Sequence, residues 1–185
     1  LVYQEYEQMR QRKNALTFDD FVPMAVRILK NQGHPGKAHV IVDEYQDINY
    51  GQQVLIELLA GKQADVMVVG DDDQTIYEWR GARPTYIIRE FQSVFENKPH
   101  TDYTLSRSFR FGPVIAQCAF NAISTNTDSA EKQLIAHRAD KAAEIETIAG
   151  SDANRFLAEW VIDLVKHASV QPSEIRVLVR TFAQL

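Results

Sequence analysis

The sequence predicts an α/β fold, a parallel sheet with flanking helices, and three observations carry that prediction. Two β-branched runs, His39-Val40-Ile41-Val42 and Asp65-Val66-Met67-Val68-Val69, have the composition of strands buried on both faces, as in a parallel sheet. Between them, Asn49 to Gly61 has a helical period, with Val54, Leu55, Leu58 and Leu59 turned inward and Gly61 as the stop. A strand–helix–strand unit with so short a crossover is right-handed. Third, each run ends in a burst of acid, Asp43-Glu44-Tyr45-Gln46-Asp47 and Gly70-Asp71-Asp72-Asp73-Gln74. Ligands of open α/β sheets bind outside the carboxyl ends of the strands, so the functional search centres on residues 40–82.

The other elements are expected around this unit. Tyr3 to Asn14 predicts a helix with one buried stripe carrying Tyr6 and Met9. Thr17 is placed as an N-cap before Asp19 and Asp20, whose charge suits the positive end of a helix, and Phe21, Met24, Ala25, Ile28 and Leu29 form its apolar face. Pro23 fits that helix only within its first turn. Asn31-Gln32-Gly33-His34-Pro35-Gly36 is a breaker. Pro84 to Phe95 predicts a helix burying Ile87, Ile88, Phe91 and Phe95, and Lys98-Pro99-His100 marks a boundary. Beyond it the sequence predicts a strand from Asp102 to Leu105, a helix opened by Pro113, and a loop from Thr125 to Ser129. A strand from Ala143 to Ile148 then leads to a helix capped by Ser151 or Asp152, with Phe156, Leu157, Trp160, Val161, Leu164 and Val165 on its apolar face. Ile175 to Val179 reads as a last strand.

At 185 residues the chain can hold one sizeable core or two small ones. Its apolar runs are only a few residues long, which excludes a membrane-spanning helix. The single cysteine, Cys118, excludes an internal disulfide and suits a reducing cytoplasm. A start at Leu1 in place of Met is expected of a piece of a longer protein. The net charge of −5 does not mark a nucleic-acid binder, although Arg80, Arg83, Arg89, Lys98, Arg107 and Arg110 gather in one part of the chain.

Each motif permits a chemistry and also a plainer reading. Asp43-Glu44 at a strand end suits a magnesium site with a base beside it: aspartate is short enough to hold a hydrated ion, and glutamate can reach an attacking water. A solvated loop is the alternative. Gly70 permits a sharp turn, and three consecutive aspartates repel one another unless solvated or near cations. Gln74 carries a donor and an acceptor, so it can read a terminal phosphate; otherwise it belongs to a polar turn. Trp79 lies among arginines, where an aromatic ring can stack on a nucleobase or pack on the following helix. Arg107 and Arg110 follow a predicted strand end, where arginine stabilises charge on a transferred phosphoryl group or makes a surface ion pair.

Taken in order, Asp43-Glu44-Tyr45-Gln46-Asp47, then Gly70-Asp71-Asp72-Asp73-Gln74-Thr75-Ile76-Tyr77-Glu78-Trp79-Arg80-Gly81-Ala82, then Leu105 to Arg110, the sequence resembles motifs II, III and IV of UvrD/Rep/PcrA-type superfamily 1 DNA helicases. Thr17-Phe18-Asp19-Asp20-Phe21 and Ile175-Arg176-Val177-Leu178-Val179-Arg180-Thr181 also look like family segments. The resemblance implies RecA-like domains that bind ATP in a cleft and single-stranded DNA across their tops, with 3′ to 5′ movement. It implies that Asp43 holds Mg²⁺, Glu44 activates water, Gln74 senses the γ-phosphate and Arg110 is an arginine finger. It further implies that Trp79 stacks on bases, with Tyr77 and Arg80 lining the DNA or linking it to the nucleotide.

Two departures stand out. Ser106-Arg107-Ser108 replaces residues that are usually acidic or amide in the family, leaving Arg110 aligned. No Gly-x-x-x-x-Gly-Lys-Ser/Thr occurs in the chain, so it has neither a phosphate cradle nor the accompanying lysine. By the family's layout, residues 1–37 are the end of an inserted subdomain, 38–100 complete a first motor domain, and 101–185 begin a second. The expectation is a helicase fragment, inactive by itself, whose intact parent acts on single-stranded DNA and single/double-strand junctions. Two alternatives stay open: a non-catalytic DNA- or protein-binding module, and a metal-dependent nuclease using Asp43, Glu44 and Asp71 to Asp73, which requires the acids to converge on two cations.

Overall fold

The computed structural model describes residues 2–33, 36–95, 99–127, 129–130, 132–140, 142–168 and 170–179. His34 and Pro35 of the expected breaker, Lys98 of the expected boundary, and Arg180 and Thr181 of the last family-like segment lie outside them. The chain separates into two compact units, Leu1–Lys141 and Ala142–Leu185.

In the first unit, α1 (Val2–Lys13) and α2 (Phe18–Gln32) precede β1 (His39–Val42), α3 (Tyr50–Ala60) and β2 (Asp65–Val68). β1 and β2 pair in parallel, from His39↔Asp65 to Val42↔Val68, and the crossover through α3 is the expected βαβ unit. The pairing runs on past the strands: Val69 N–H donates to Val42 O at 2.8 Å, and Tyr45 N–H to Val69 O at 3.0 Å. Both acid bursts therefore leave the same end of neighbouring strands.

The strands are not buried on both faces. Val40, Val42, Val66 and Val68 pack on the core, whereas Ile41 and Met67, register partners, are 72% and 58% exposed. Strand side chains alternate between faces, so an all-apolar run does not by itself say how many faces are covered. The core consists of Tyr45, Ile48, Ile56, Ala60, Ala64, Tyr86 and Phe95. Phe91 sits edge-on to Tyr45 at 6.2 Å and 5.1 Å from Phe95.

Local signals set the helix ends. Asn49 and Gln52 cap α3 reciprocally: Gln52 N–H donates to Asn49 Oδ1 at 3.1 Å, and Asn49 N–H to Gln52 Oε1 at 2.9 Å. Gln53, Ile56 and Ala60 are its buried residues, with Val54, Leu55, Leu58 and Leu59 half-buried because α3 packs on α2 as well as on β1. Before α2, the Thr17 N–H and hydroxyl both donate to the Asp20 carboxylate, at 2.7 and 3.0 Å. The Thr17 backbone bond is the main cause that holds the Asp20 carboxyl below its ordinary range. Pro23 stands sixth in α2, in the second turn, so the helix runs past it without that backbone bond. The expected stripe on α1 is not buried: Tyr6 and Met9 are exposed, and Arg10 pairs with Glu7 of the same helix at 2.7 Å and ties α1 to Asp20 of α2 at 3.4 Å.

Residues 84–95 bury a helix face, but it begins as a π turn (Tyr86–Glu90) before α4 (Phe91–Val94). The wider turn brings Tyr86 and Phe91, five apart, onto one side, which makes Tyr86 the most buried residue of the segment. Among residues 102–105 no strand forms, and Tyr103 and Leu105 are almost fully exposed. The strand comes later: β3 (Arg107–Ser108) pairs in parallel with β4 (Ile135–Ala136), and α5 (Pro113–Ile123) lies between them with Pro113 as its first residue. Arg107 is thus in a strand, not beyond its end.

The second unit contains α6 (Ala153–His167) and a short 3₁₀ turn (Pro172–Glu174). Leu157, Val161 and Leu164 are half-buried on α6, while Phe156, Trp160 and Val165 are exposed. Asp152 occupies the cap position without a side-chain cap bond. The expected strands at 143–148 and 175–179 are irregular, with Leu178 at 93% exposure. A strand is stabilised by a backbone partner, and a β-branched run lacking one among the described residues stays extended and open.

Candidate functional site

The site is built where β1 and β2 end. Asp43 is exposed, and its Oδ1 accepts the Glu44 N–H at 2.9 Å. Glu44 has a left-handed backbone, φ +52°, which is uncommon for a residue with a side chain. That turn sends the chain from the strand into the 3₁₀ turn Tyr45–Asp47. Tyr45 goes into the core, where its hydroxyl donates to Gln53 Oε1 at 2.6 Å; burial pushes its ionisation up to about 12, against the opposing effect of that bond.

Gln46 joins the two acid bursts. Its side chain is buried, its Nε2 donates to Glu44 Oε2 at 2.8 Å, and its Oε1 accepts the Asp71 N–H at 3.1 Å. One neutral amide thus fixes a carboxylate at the end of β1 and the backbone at the end of β2. Gly70 makes room for it: a Cβ there would stand 2.5 Å from Gln46 Oε1 and 2.8 Å from Ile87 Cδ1. Gly70 is required for close approach, not for a left-handed turn off the strand.

After Asp71 comes the 3₁₀ turn Asp72–Gln74. The Asp71 carboxylate accepts from Gln74 Nε2 on Oδ2 at 2.6 Å, and from Lys132 Nζ and Asp73 N–H on Oδ1. The Lys132 ammonium is also 2.7 Å from Asp72 Oδ1 and 2.7 Å from Asp73 Oδ2. Burial alone would raise the Asp71 pKa, but the bonds from Lys132 and Gln74 outweigh it and hold the carboxyl below its ordinary range. Lys132 is shifted upward, because its three carboxylate partners outweigh the desolvation that opposes its charge.

Asp71, Asp72 and Asp73 bring their oxygens within 4.8 Å of one another, a cluster able to hold a cation, and the cation they hold is Lys132. Asp43 differs. It is exposed, its Oδ2 has no hydrogen bond among the described residues, and its hard oxygen suits Mg²⁺.

Apart from Arg110, the sequence-predicted residues divide into two groups. Asp43, Glu44 and Gln74 are gathered at one sheet end through Gln46 and Asp71. Tyr77, Trp79 and Arg80 form an exposed run beside the 3₁₀ turn Glu78–Arg80. Trp79 is 79% exposed, so it does not pack into the following helix, and the Arg80 guanidinium lies over its ring at 5.4 Å from the centroid. Arg110 is exposed on the turn after β3, its N–H donating to Ser108 Oγ at 3.3 Å. Gln46 and Lys132 carry much of the geometry, and nothing local in the sequence marks either of them. Gln46 reads there as one more polar residue in an acidic burst, and Lys132 stands some sixty residues from its partners.

The family model described as the UvrD/REP helicase N-terminal domain matches residues 1–96. Over 198 aligned residues the chain is 32% identical to the ATP-dependent DNA helicase UvrD1 of Mycobacterium tuberculosis H37Rv, an alignment covering 97% of the chain and 25% of that protein. It is 33% identical over 195 residues to PcrA of Staphylococcus epidermidis, covering 99% and 26% respectively. To Rep of Buchnera aphidicola it is 35% identical over 142 residues, covering 72% and 21%. The chain therefore spans about a quarter of the length of the curated relatives it matches. No helix among the described residues is long and apolar enough to cross a membrane.

Proposed function

The chain belongs to the UvrD/Rep helicase family, and from that premise we propose that it is a segment of an ATP-dependent 3′–5′ DNA helicase. In this reading residues 1–37 end an inserted subdomain, residues 38–100 complete a first RecA-like motor domain, and residues 101–185 begin a second. The observation that carries the reading is the Gln46 bridge, which ties Glu44 at one strand end to Asp71, and so to Gln74, at its parallel neighbour. Open α/β sheets bind ligands outside the carboxyl ends of their strands, so this juxtaposition supports a nucleotide site there.

The exposed Asp43 carboxylate would hold Mg²⁺, and Glu44 would accept the proton of the attacking water. Gln74 gives one amide N–H to Asp71, which leaves its second N–H to donate to the terminal phosphate and its carbonyl oxygen to accept from the water. Arg110 supplies positive charge to the phosphoryl group. Bound ATP with Mg²⁺ supplies the electrophilic phosphorus and the leaving group. Trp79 stacks on a base of single-stranded DNA, with Tyr77 and Arg80 beside it, at a strand or at a single/double-strand junction. The parent works in a reducing cytoplasm, where the exposed thiol of Cys118 stays free.

The phosphate-cradling loop is not in this sequence, so the 185 residues alone are expected to show no ATP hydrolysis and no unwinding. Assay of the purified chain with Mg²⁺, ATP and single-stranded DNA tests this, with the full-length protein as the active control. Robust turnover by the isolated chain would sink the reading. A helicase-derived binding module, the second reading, is favoured if the full-length protein binds single-stranded DNA but hydrolyses no ATP. The nuclease reading loses ground to Lys132, whose ammonium already engages Asp71, Asp72 and Asp73.

A further inference from the structure

We propose that Lys132 is a positioning residue for Gln74, acting through the Asp71 carboxylate. The inference rests on the proposed role of Gln74 at the nucleotide. One oxygen of Asp71 accepts the Lys132 ammonium and the other accepts the Gln74 amide at 2.6 Å, so a single rigid group separates the two side chains. Lys132 is not a casual surface pair. Its side chain is 22% exposed, and those of Asp72 and Asp73, bonded to it at 2.7 Å, are 7% and 6% exposed. The same stretch contributes two more donors: Asn126 Nδ2 to Asp73 Oδ1 at 2.8 Å, and Ala130 N–H to Asp72 Oδ2 at 2.7 Å. Each of the three aspartates is therefore held by one or more of Asn126, Ala130 and Lys132.

The physical reason follows from the charges. Three adjacent carboxylates, two of them largely buried, repel one another and are desolvated. With the ammonium among them they share one orientation. Without it, one must protonate or swing toward water, and Asp71 is the most exposed of the three, its side chain at 40%. A displaced Asp71 releases the Gln74 amide, and a misplacement of about 1 Å at a reacting centre can slow chemistry by as much as about 100-fold. Lys132 touches neither water nor phosphate in this scheme. It acts only by fixing the group that fixes Gln74.

The test is a double-mutant cycle in the full-length protein, read as DNA-stimulated ATP hydrolysis. Lys132→Met is expected to lower kcat by about tenfold while KM for ATP moves less than about twofold. Lys132→Arg, which keeps the charge, recovers most of kcat. In a Gln74→Ala background, Lys132→Met costs nothing further. An unchanged kcat in Lys132→Met, or losses that multiply in the double variant, overturns the inference while leaving Gln74 in place. If Gln74→Ala itself leaves kcat unchanged, the reading of Gln74 falls first, and the inference with it. Should Lys132→Met not fold, Lys132→Gln takes its place in the cycle. The same loss, absent in the Gln74→Ala background, supports the inference, and an independent loss overturns it.

Discussion

At the end of β1, Asp43 and Glu44 are exposed, and the groups that hold them are neutral: a backbone N–H and the Gln46 amide. At the end of β2, Asp71, Asp72 and Asp73 are partly buried and share an ammonium delivered from sixty residues away. In sequence the two bursts look alike, since both are acids following a β-branched run. In the structure, charge held by neutral donors remains available to a cation or a proton, whereas charge matched by an internal lysine is committed to shape. The first pair is therefore suited to chemistry and the second cluster to orientation, and substitutions at the two ends should fail in different ways.

The largest expected effect is at the first. Glu44→Gln keeps the size of the side chain but removes the base, so ATP turnover in the full-length protein should fall by about 100-fold or more. Nucleotide affinity, measured at equilibrium, should stay near that of the unsubstituted protein. Unchanged DNA-stimulated turnover would show that Glu44 is not the base and that availability of charge does not identify the chemical end.

Next is the joint between the ends. Gly70→Ala puts a methyl group 2.5 Å from Oε1 of the buried Gln46 and 2.8 Å from Cδ1 of the half-buried Ile87, with the Tyr45 backbone nitrogen 3.1 Å away, so neighbouring groups must shift to admit it. A cost of about 1–3 kcal/mol is expected, the usual range for overpacking. Chemical unfolding of the variant and parent reads it directly. A change near zero would mean that Gln46 can leave its position, and the bridge between the clusters would then be too soft to couple them.

A smaller effect separates the ends by pH. Asp71 has a depressed pKa, so its contribution is present above the unfolded aspartate value near 3.8 and is lost as pH falls through the lower folded value. Lys132 is shifted upward, so its contribution is present below the unfolded lysine value of 10.5 and is lost only as pH rises through the folded one. Between these limits the cluster is whole. The stability difference between parent and Lys132→Met should thus be flat from about pH 5 to pH 9 and shrink on acidification below about pH 4, where the carboxylates no longer need a counter-ion. Urea midpoints across pH measure this, and a pH-independent difference would mean that Lys132 contributes by packing.

How much of this was legible in the sequence depended on how far each signal reaches along the chain. The βαβ unit, the Asn49 and Thr17 starts, and Pro113 at the head of α5 are local, and the structure has them where the residues put them. Tyr86 is not among the inward positions of a 3.6-residue period, because a π turn shifts the inward face by one position. Residues 102–105, 143–148 and 175–179 have strand composition, yet composition does not provide a partner, and none of the three pairs among the described residues. Within the site, Asp43, Glu44 and Gln74 announced themselves by type and order. Gln46 and Lys132 did not, because an amide bridge and a distant ammonium are properties of the folded arrangement. The repulsion among Asp71, Asp72 and Asp73 was the available clue: it called for a cation without saying where in the chain it would come from.

The smallest effect on the fold is expected just beyond the second cluster, at Trp79. Its ring is 79% exposed, and its one described ring contact is the Arg80 guanidinium at 5.4 Å. Trp79→Ala should therefore change stability by less than about 0.5 kcal/mol, the range of ordinary surface positions. If the ring stacks on a base, the same variant of the full-length protein loses about 1–3 kcal/mol of affinity for single-stranded DNA. The contrast is informative because Trp79 follows Gln74 closely in the chain, whereas Lys132 reaches it only through Asp71. A stability loss at Trp79 as large as that at Gly70 would mean that the ring supports the loop holding Gln74. An intact fold with weakened DNA binding would leave the loop's support to Asp71 and Lys132 and give Trp79 to the DNA alone.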